Sequence, residues 1–231
     1  MISLYNVNNI THANEHYENV KRNVINKKKK KISTNRIKDE LLKDLPKIIS
    51  GKPIVLQRFH TKYSSSPYRI SKDNLRSIFD YKAFRDKLGM NLIRKLDITC
   101  CPYCNKNYTS YLTFHKTGVT SISDIFPEFD HFYPRSKYPL LGISFYNLIP
   151  SCNFCNSHIK SSADSLKLNL FHPYTHFKNQ GVKFKFYPTN FKSLIGLDRN
   201  YKFDFSYTES TLVNRSLKKS VSFFGIKEIY E

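Results

Sequence analysis

Two cysteine pairs constrain this chain more than any other feature: Cys101-Pro-Tyr-Cys104 and Cys152-Asn-Phe-Cys155, with 47 residues (105–151) between them. A two-residue gap lets both sulfurs of one tight turn approach a single ion. Two such turns supply the closed tetrahedral set of thiolates that structural zinc takes. The pattern predicts zinc held by Cys101, Cys104, Cys152 and Cys155, stapling together segments far apart in sequence. Cys100, the fifth cysteine, reads as a small buried hydrophobe.

Two other chemistries use similar cysteines. A reactive CPYC dithiol would need a helix directly after it, whereas the sequence NKNYTSYLTF that follows has the composition of a strand. A zinc deaminase pairs HxE with PCxxC. His16-Tyr17-Glu18 fits the first half, but Cys100 and Ser151 stand where the second half needs proline.

Charge narrows the partners. Lys and Arg number 38 against 18 Asp and Glu, a formal net charge of +20. Such an excess attracts polyanions and favours nucleic acid without choosing a sequence. A hydrophobic fraction of 40% suffices for a core, and no run of about 18 apolar residues predicts a membrane span. The polar N-terminal stretch lacks an apolar signal segment, which predicts a cytoplasmic location. There thiols stay reduced and bind metal rather than pair as disulfides.

Three regions follow from the patterning. Residues 1–97 read as basic and helical, with helices over Asn14–Lys31 (ending in the lysine run Lys27–Lys31), over Asn35–Leu45 before Pro46, and from Ser71 onward. The last carries Leu75, Ile78, Phe79, Phe84, Leu88, Leu92 and Leu96 at helical spacing. Residues 98–165 are turn-rich, with strands at Tyr108–His115 and Phe126–Phe132 and a short helix near Cys152. Residues 166–231 alternate in LKLNLFHPY, VKFKFYPTN and YKFDFSYTES, which predicts three strands, and end in an amphipathic helix over Val213–Tyr230. The fold class is α+β.

Between the cysteine pairs lies PEFDHFYPRSKYP, and just before the second comes FYNLIPSC. With CPYCNKNYT and SCNFCNSHIKSS, the segment Cys101–Lys160 resembles the HNH, or ββα-metal, nuclease family. The resemblance covers about a quarter of the chain and rests on Asp130-His131, Asn147 and Asn156 falling in the family's order between and after the cysteine pairs. It implies a ββα-metal core stapled by zinc and an endonuclease that hydrolyses phosphodiester bonds, in DNA more than in RNA or tRNA.

The resemblance also assigns roles. His131 would be the general base, since imidazole titrates near neutral pH. Asp130 would point to the other side of the strand and bind a catalytic metal. Asn156 would give the same ion an amide oxygen from the first turn of a helix, with His158 as the alternative ligand. Asn147 would bridge the loop and orient His131. Arg135, Lys137 and Lys160 are candidate phosphate contacts. One carboxylate and one amide oxygen make a hard site, suited to Mg²⁺ first and Mn²⁺ next. His60, His115, His172 and His176 read as bystanders.

Within the family, the closest likeness is to HNH proteins of Septu-type and retron-linked antiphage defence systems. That implies an effector working with an ABC-type ATPase partner. Members of this kind often continue into further helix beyond the stretch equivalent to Ile226–Tyr230, whereas this sequence ends at Glu231. The reading from a different class is a noncatalytic, zinc-stabilised module that binds nucleic acid or protein.

Overall fold

Helices occupy most of the first 96 residues, as their apolar spacing requires, although their boundaries differ from the sequence expectation. The computed structural model describes residue 4 and residues 9–26, 35–115, 122–175, 182–208 and 210–230. The lysine run 27–31, His176 and the side chain of His115 lie outside the described residues. Helix α1 spans Asn9–Val20 and winds on as a π-helical turn, Lys21–Ile25. Helix α2 covers Asn35–Ser50 and runs through Pro46 rather than stopping before it. The lost hydrogen bond is offset by burial of Leu41, Leu45, Ile48 and Ile49 on one face. The chain then turns at Gly51, where any Cβ would stand 2.1 Å from the Lys47 carbonyl oxygen. Pro53 opens helix α3 (Pro53–Ser64) in its first turn, where a missing N–H goes unneeded.

The helix expected from Ser71 onward is two helices. Ser71 caps α4 (Lys72–Ile78) by accepting from the Asn74 N–H. Asp80 then caps a new helix, α5 (Tyr81–Leu96), by accepting from the Ala83 N–H. This second cap redirects the chain and places the first turn of α5 over the end of a central strand.

The middle region holds short antiparallel pairs. Strand β1 (Leu112–His115) pairs with β2 (Ile122–Ile125). Strand β3 (Glu128–His131) pairs with β4 (Leu148–Ser151) in a register that sets Asp130 opposite Ile149 and His131 opposite Leu148. After β4 comes a π-wound helix, Phe154–Lys160. The alternating stretch 166–174 is not a strand. Backbone bonds such as Leu168 N–H to Asp164 O and Leu170 N–H to Ser165 O fold it into turns. The other two alternating stretches do pair, as β5 (Val182–Pro188) and β6 (Tyr201–Tyr207), joined through the short helix α6 (Phe191–Leu194). The final helix breaks at Gly225, φ +57°, into α7 (Thr211–Phe223) and α8 (Ile226–Tyr230).

One cluster of buried apolar side chains runs from Leu4 through all three regions to Ile226. The architecture is α+β, with helices around small two-stranded sheets. Among the described residues no helix is long and apolar enough to cross a membrane.

A candidate active site beside a four-cysteine cluster

The turn carrying Cys101 and Cys104 is set by backbone bonds from Cys101 N–H to Asn107 O and from Asn105 N–H to Cys101 O, with Asn105 at φ +53°. Cys152 follows β4, and its sulfur accepts from the Cys155 N–H and from Asn107 Nδ2, each at 3.4 Å. All four sulfurs lie within 4.8 Å of one another and all four residues are buried. The Cys104 and Cys152 sulfurs are 4.0 Å apart, close to the roughly 3.8 Å edge of a tetrahedron with 2.3 Å zinc–sulfur bonds. The cluster is compatible with structural zinc in donor type, number and spacing. Hydrogen bonding, led by the Cys101 thiol, pushes Cys152 down to about 6 and also lowers Cys104. Cys101 itself is raised, chiefly through Cys104. A shared cation would let all four ionise together. Cys100 stands outside the cluster, half-buried and bridged to Tyr108.

The C-terminal helices brace this cluster. Tyr103, inside the first pair, stacks on Phe224 with ring centroids 4.4 Å apart. The Tyr230 hydroxyl donates to the Cys104 and Asn105 carbonyls. On its other side Tyr103 reaches β3, where its hydroxyl donates to Asp130 Oδ2 at 2.5 Å. Asp130 Oδ1 accepts from Lys160 Nζ at 2.8 Å, and the same ammonium donates to the His131 carbonyl at 2.8 Å. Lys160 and Asp130 side chains are 0% and 2% exposed. Burial raises the Asp130 carboxyl, and the Lys160 charge works against that rise.

This network decides what Asp130 can do. Its two oxygens are engaged by a phenol and an ammonium, out of reach of solvent. Asn156 makes no hydrogen bond to Asp130; its Nδ2 donates to Glu128 Oε2 at 2.7 Å. As arranged, Asp130 and Asn156 do not fit as ligands of one cation, since the Lys160 ammonium already neutralises the carboxylate. Lys160 is for the same reason not a surface phosphate contact. His158 is exposed, away from this buried network.

His131 lies on the opposite face of β3, as alternation demands. One ring nitrogen, Nε2, is 2.9 Å from the Gly142 carbonyl. A carbonyl only accepts, so Nε2 carries the proton and Nδ1 keeps a free lone pair. Burial pushes the imidazole down to about 4, with the Gly142 carbonyl opposing and the Arg135 and Lys160 charges assisting. At neutral pH the ring is uncharged and able to take a proton.

Around this imidazole stand groups from α5. The Tyr81 ring meets it edge-on at 4.5 Å, and the Arg135 guanidinium lies 5.0 Å from the Tyr81 ring centroid. Burial raises the Tyr81 hydroxyl, while the Arg85 and Arg135 charges oppose the rise. Glu128, two residues before Asp130, accepts from Asn153 Nδ2, Asn156 Nδ2 and Ser157 Oγ at 2.7–2.9 Å. Burial resists its ionisation, but those three hydrogen bonds and the Arg85 charge hold its carboxyl below the usual range. Arg135 and Lys137 are exposed, the latter 3.4 Å from Asp164.

Asn147 is fully buried and cross-links the loop after β3. Its Oδ1 accepts from the Tyr133 N–H at 2.7 Å, and its Nδ2 donates to the Tyr133 and Leu141 carbonyls. The loop so fixed ends at Gly142, whose carbonyl holds His131. Three participants were missed in the sequence: Tyr81, Arg85 and Glu128. Strand alternation from Asp130 could have found Glu128, whereas Tyr81 and Arg85 arrive only through the packing of α5. Compared with protein-family models, curated proteins and solved structures, the chain matches none.

Proposed function

We propose that this chain is an endonuclease that hydrolyses phosphodiester bonds, with His131 as general base. The observation that carries the reading is the neutral His131 imidazole, with Nε2 engaged by a backbone carbonyl and Nδ1 left to take a proton, against the Tyr81 ring that Arg135 also approaches. Nδ1 takes a proton from water as it attacks phosphorus. Arg85 and Arg135 offer guanidinium groups to the phosphate oxygens, where negative charge builds in the transition state. Asn147 keeps the Gly142 carbonyl, and therefore the ring, in one orientation. The net charge of +20 brings a polyanionic substrate to this surface, with DNA preferred over RNA or tRNA on the resemblance to HNH nucleases.

Magnesium or manganese belongs to this proposal with a different ligand set from the one expected. Glu128 is the carboxylate that would hold a hard cation, which would take the place of the Asn156 and Ser157 donors now on its Oε2 and draw the Asn156 amide oxygen round in place of Nδ2. Bound there, such an ion supplies charge neutralisation at the phosphate. The resemblance to antiphage HNH proteins extends the proposal to a defence effector regulated by an ATPase partner.

A second reading is favoured by one observation: the Asp130 carboxylate, which an HNH nuclease would use, is sealed against Lys160. That arrangement suits a noncatalytic zinc module whose basic surface binds nucleic acid or protein. His131→Ala separates the two. We expect the wild type to cut plasmid DNA with added Mg²⁺ or Mn²⁺, and His131→Ala to bind it equally but cut it at least about a hundredfold more slowly. Equal cutting by both proteins removes His131 from the chemistry, and binding without cutting by the wild type supports the module.

A further inference from the structure

The β5–β6 ribbon ends in a tip, residues 189–200, whose polarity is turned inside out. Phe191, Leu194 and Ile195 stand at i, i+3 and i+4 along one side of α6, with Leu197 just beyond it. All four are more than half exposed, Phe191 and Leu197 at 72%. The buried residue of that turn is instead Ser193. Apolar side chains gathered on the surface in this way mark a contact with a partner or a membrane.

The polar groups of the tip pair with one another. The Ser193 N–H donates to Asn190 Oδ1 at 2.7 Å, and Ser193 Oγ accepts from the Thr189 and Asn190 N–H groups. Asn190 Nδ2 and the Asn200 N–H donate to the Asp198 carboxylate. The N–H groups of Leu194, Ile195, Gly196 and Leu197 reach the carbonyls of Asn190, Phe191, Ser193 and Lys192. From Ser193 to Leu197 every backbone N–H therefore has an acceptor within the tip. A low-dielectric medium demands such internal pairing; water does not.

Behind the tip the chemistry changes in order. Tyr187 pairs with Lys202, which sets a half-exposed phenol beside an exposed ammonium. Further back on the same face come Lys185 opposite Asp204 and then Lys183 opposite Ser206. On the tip itself Lys192 and Arg199 are exposed beside the apolar cluster. The other face of the ribbon is held to α8: the Phe184 and Phe203 ring centroids lie 4.9 and 5.7 Å from that of Tyr230, and the Tyr201 hydroxyl donates to the Tyr230 carbonyl. The apolar cluster thus sits at the end of a fixed stem.

Apolar end, then tyrosine with lysine, then more lysine is the order of one bilayer leaflet: acyl chains, interface, anionic headgroups. A second copy of the chain would set +20 against +20. A nucleic-acid groove offers polar edges, but Asn190, Ser193 and Asp198 are engaged within the tip, and a wedge between base steps would leave most of the four apolar side chains wet. We propose that the β5–β6 tip inserts Phe191, Leu194, Ile195 and Leu197 into the surface of an anionic membrane, with Tyr187 at the interface and Lys185, Lys192 and Lys202 on lipid phosphates. The attachment is to one leaflet and needs no spanning helix. It stands apart from His131 and the nuclease reading.

The chain has no tryptophan, so Phe191→Trp places a fluorescent reporter at the tip without background. Full-length zinc-loaded protein is mixed with vesicles of phosphatidylcholine, or of equal parts phosphatidylcholine and phosphatidylglycerol. Co-sedimentation and tryptophan emission are then followed. The reporter should shift to the blue with anionic vesicles and be quenched by lipid brominated on its acyl chains. Leu194→Ser and Leu197→Ser should each weaken sedimentation about tenfold, as expected for one large apolar side chain withdrawn from the membrane. Lys185→Gln and Lys202→Gln should each weaken it about fivefold, and only with anionic lipid. All these side chains are exposed, so the variants should keep the wild-type melting temperature, and lost binding is then not lost folding. Sedimentation with an unshifted, unquenched reporter would mean that net charge alone holds the protein, and overturns the proposal. A reporter that responds to duplex DNA but not to vesicles overturns it in favour of a nucleic-acid wedge, and no partition into anionic vesicles overturns it outright.

Discussion

Replacing Lys160 with methionine should unsettle the fold far more than a lysine usually does. Its ammonium is fully buried, 2.8 Å from Asp130 Oδ1 and 2.8 Å from the His131 carbonyl. Methionine keeps most of the volume but takes the one opposite charge from Asp130, leaving it neutral donors such as the Tyr103 hydroxyl and the His131 N–H, and leaves the His131 carbonyl without this donor. Breaking a buried pair from one side costs about 3–5 kcal/mol, a large share of the roughly 5–15 kcal/mol that holds a domain folded. Asp130→Asn/Lys160→Met removes both charges and should cost much less than the two single changes added together. The pH dependence has a definite sign. The Asp130 carboxyl is already raised by burial and rises further without Lys160. A group whose folded pKa exceeds its unfolded value binds a proton in the folded state first, so the variant regains stability as pH falls through the folded pKa. Urea denaturation of zinc-loaded protein at about pH 7 and about pH 5.5 should therefore show the gap between wild type and Lys160→Met closing on acidification. A cost below about 1 kcal/mol that does not change with pH would refute the buried pair.

Other expectations follow from the same geometry. His16 and His172 are buried with pKa values of about 4 and about 3, so their contribution is complete above the ordinary 6.5 and is lost as pH falls below it. At about pH 5 this amounts to about 2 kcal/mol each, and a melting temperature unchanged between neutral pH and that point contradicts it. Zinc added to the wild type should bind at one ion per chain by elemental analysis, and Cys155→Ser should lose that binding together with cooperative unfolding; equal metal content and melting temperature in the variant would mean the four sulfurs do not share an ion. Arg85→Ala and Arg135→Ala should weaken binding to any sequence and each lower the salt dependence by about one phosphate contact; a salt slope equal to wild type places the phosphates elsewhere. Asn147→Ala leaves the Tyr133 N–H and two carbonyls without its amide, so it should cost about 1–3 kcal/mol in urea titration, and a neutral substitution would show the loop is held by other contacts.

Much of this was legible where a local rule decides the outcome. The cysteine spacing announced a four-cysteine cluster, and alternation in VKFKFYP and YKFDFSY announced a hairpin. The strand through Asp130 and His131 was legible too, including their opposite faces. Sequence reasoning failed where a distant partner decides. LKLNL alternates like a strand, but backbone bonds back to Asp164 and Ser165 fold it into turns. Pro46 looks like a helix stop until its neighbours Ile48 and Ile49 are seen to be buried. Lys160 reads as a surface cation because isolated lysines usually are; only the facing carboxylate of Asp130 allows it to be buried. The Asp80 cap was readable locally, yet continuous apolar spacing across Phe79 concealed it. Asp130 and Asn156 matched a family pattern in order, while their side chains face different partners, Lys160 and Glu128.

Chemical rescue tests the central claim, that His131 is a general base, most directly. The cleavage rate of a labelled duplex is measured under single turnover for wild type, His131→Gly and Asn147→Ala, with and without added imidazole. The account predicts that His131→Gly is nearly inactive and recovers part of its rate as imidazole fills the space left by the ring, while Asn147→Ala is not rescued. A His131→Gly protein that cuts as fast as wild type, or one whose rate imidazole does not raise, would contradict it.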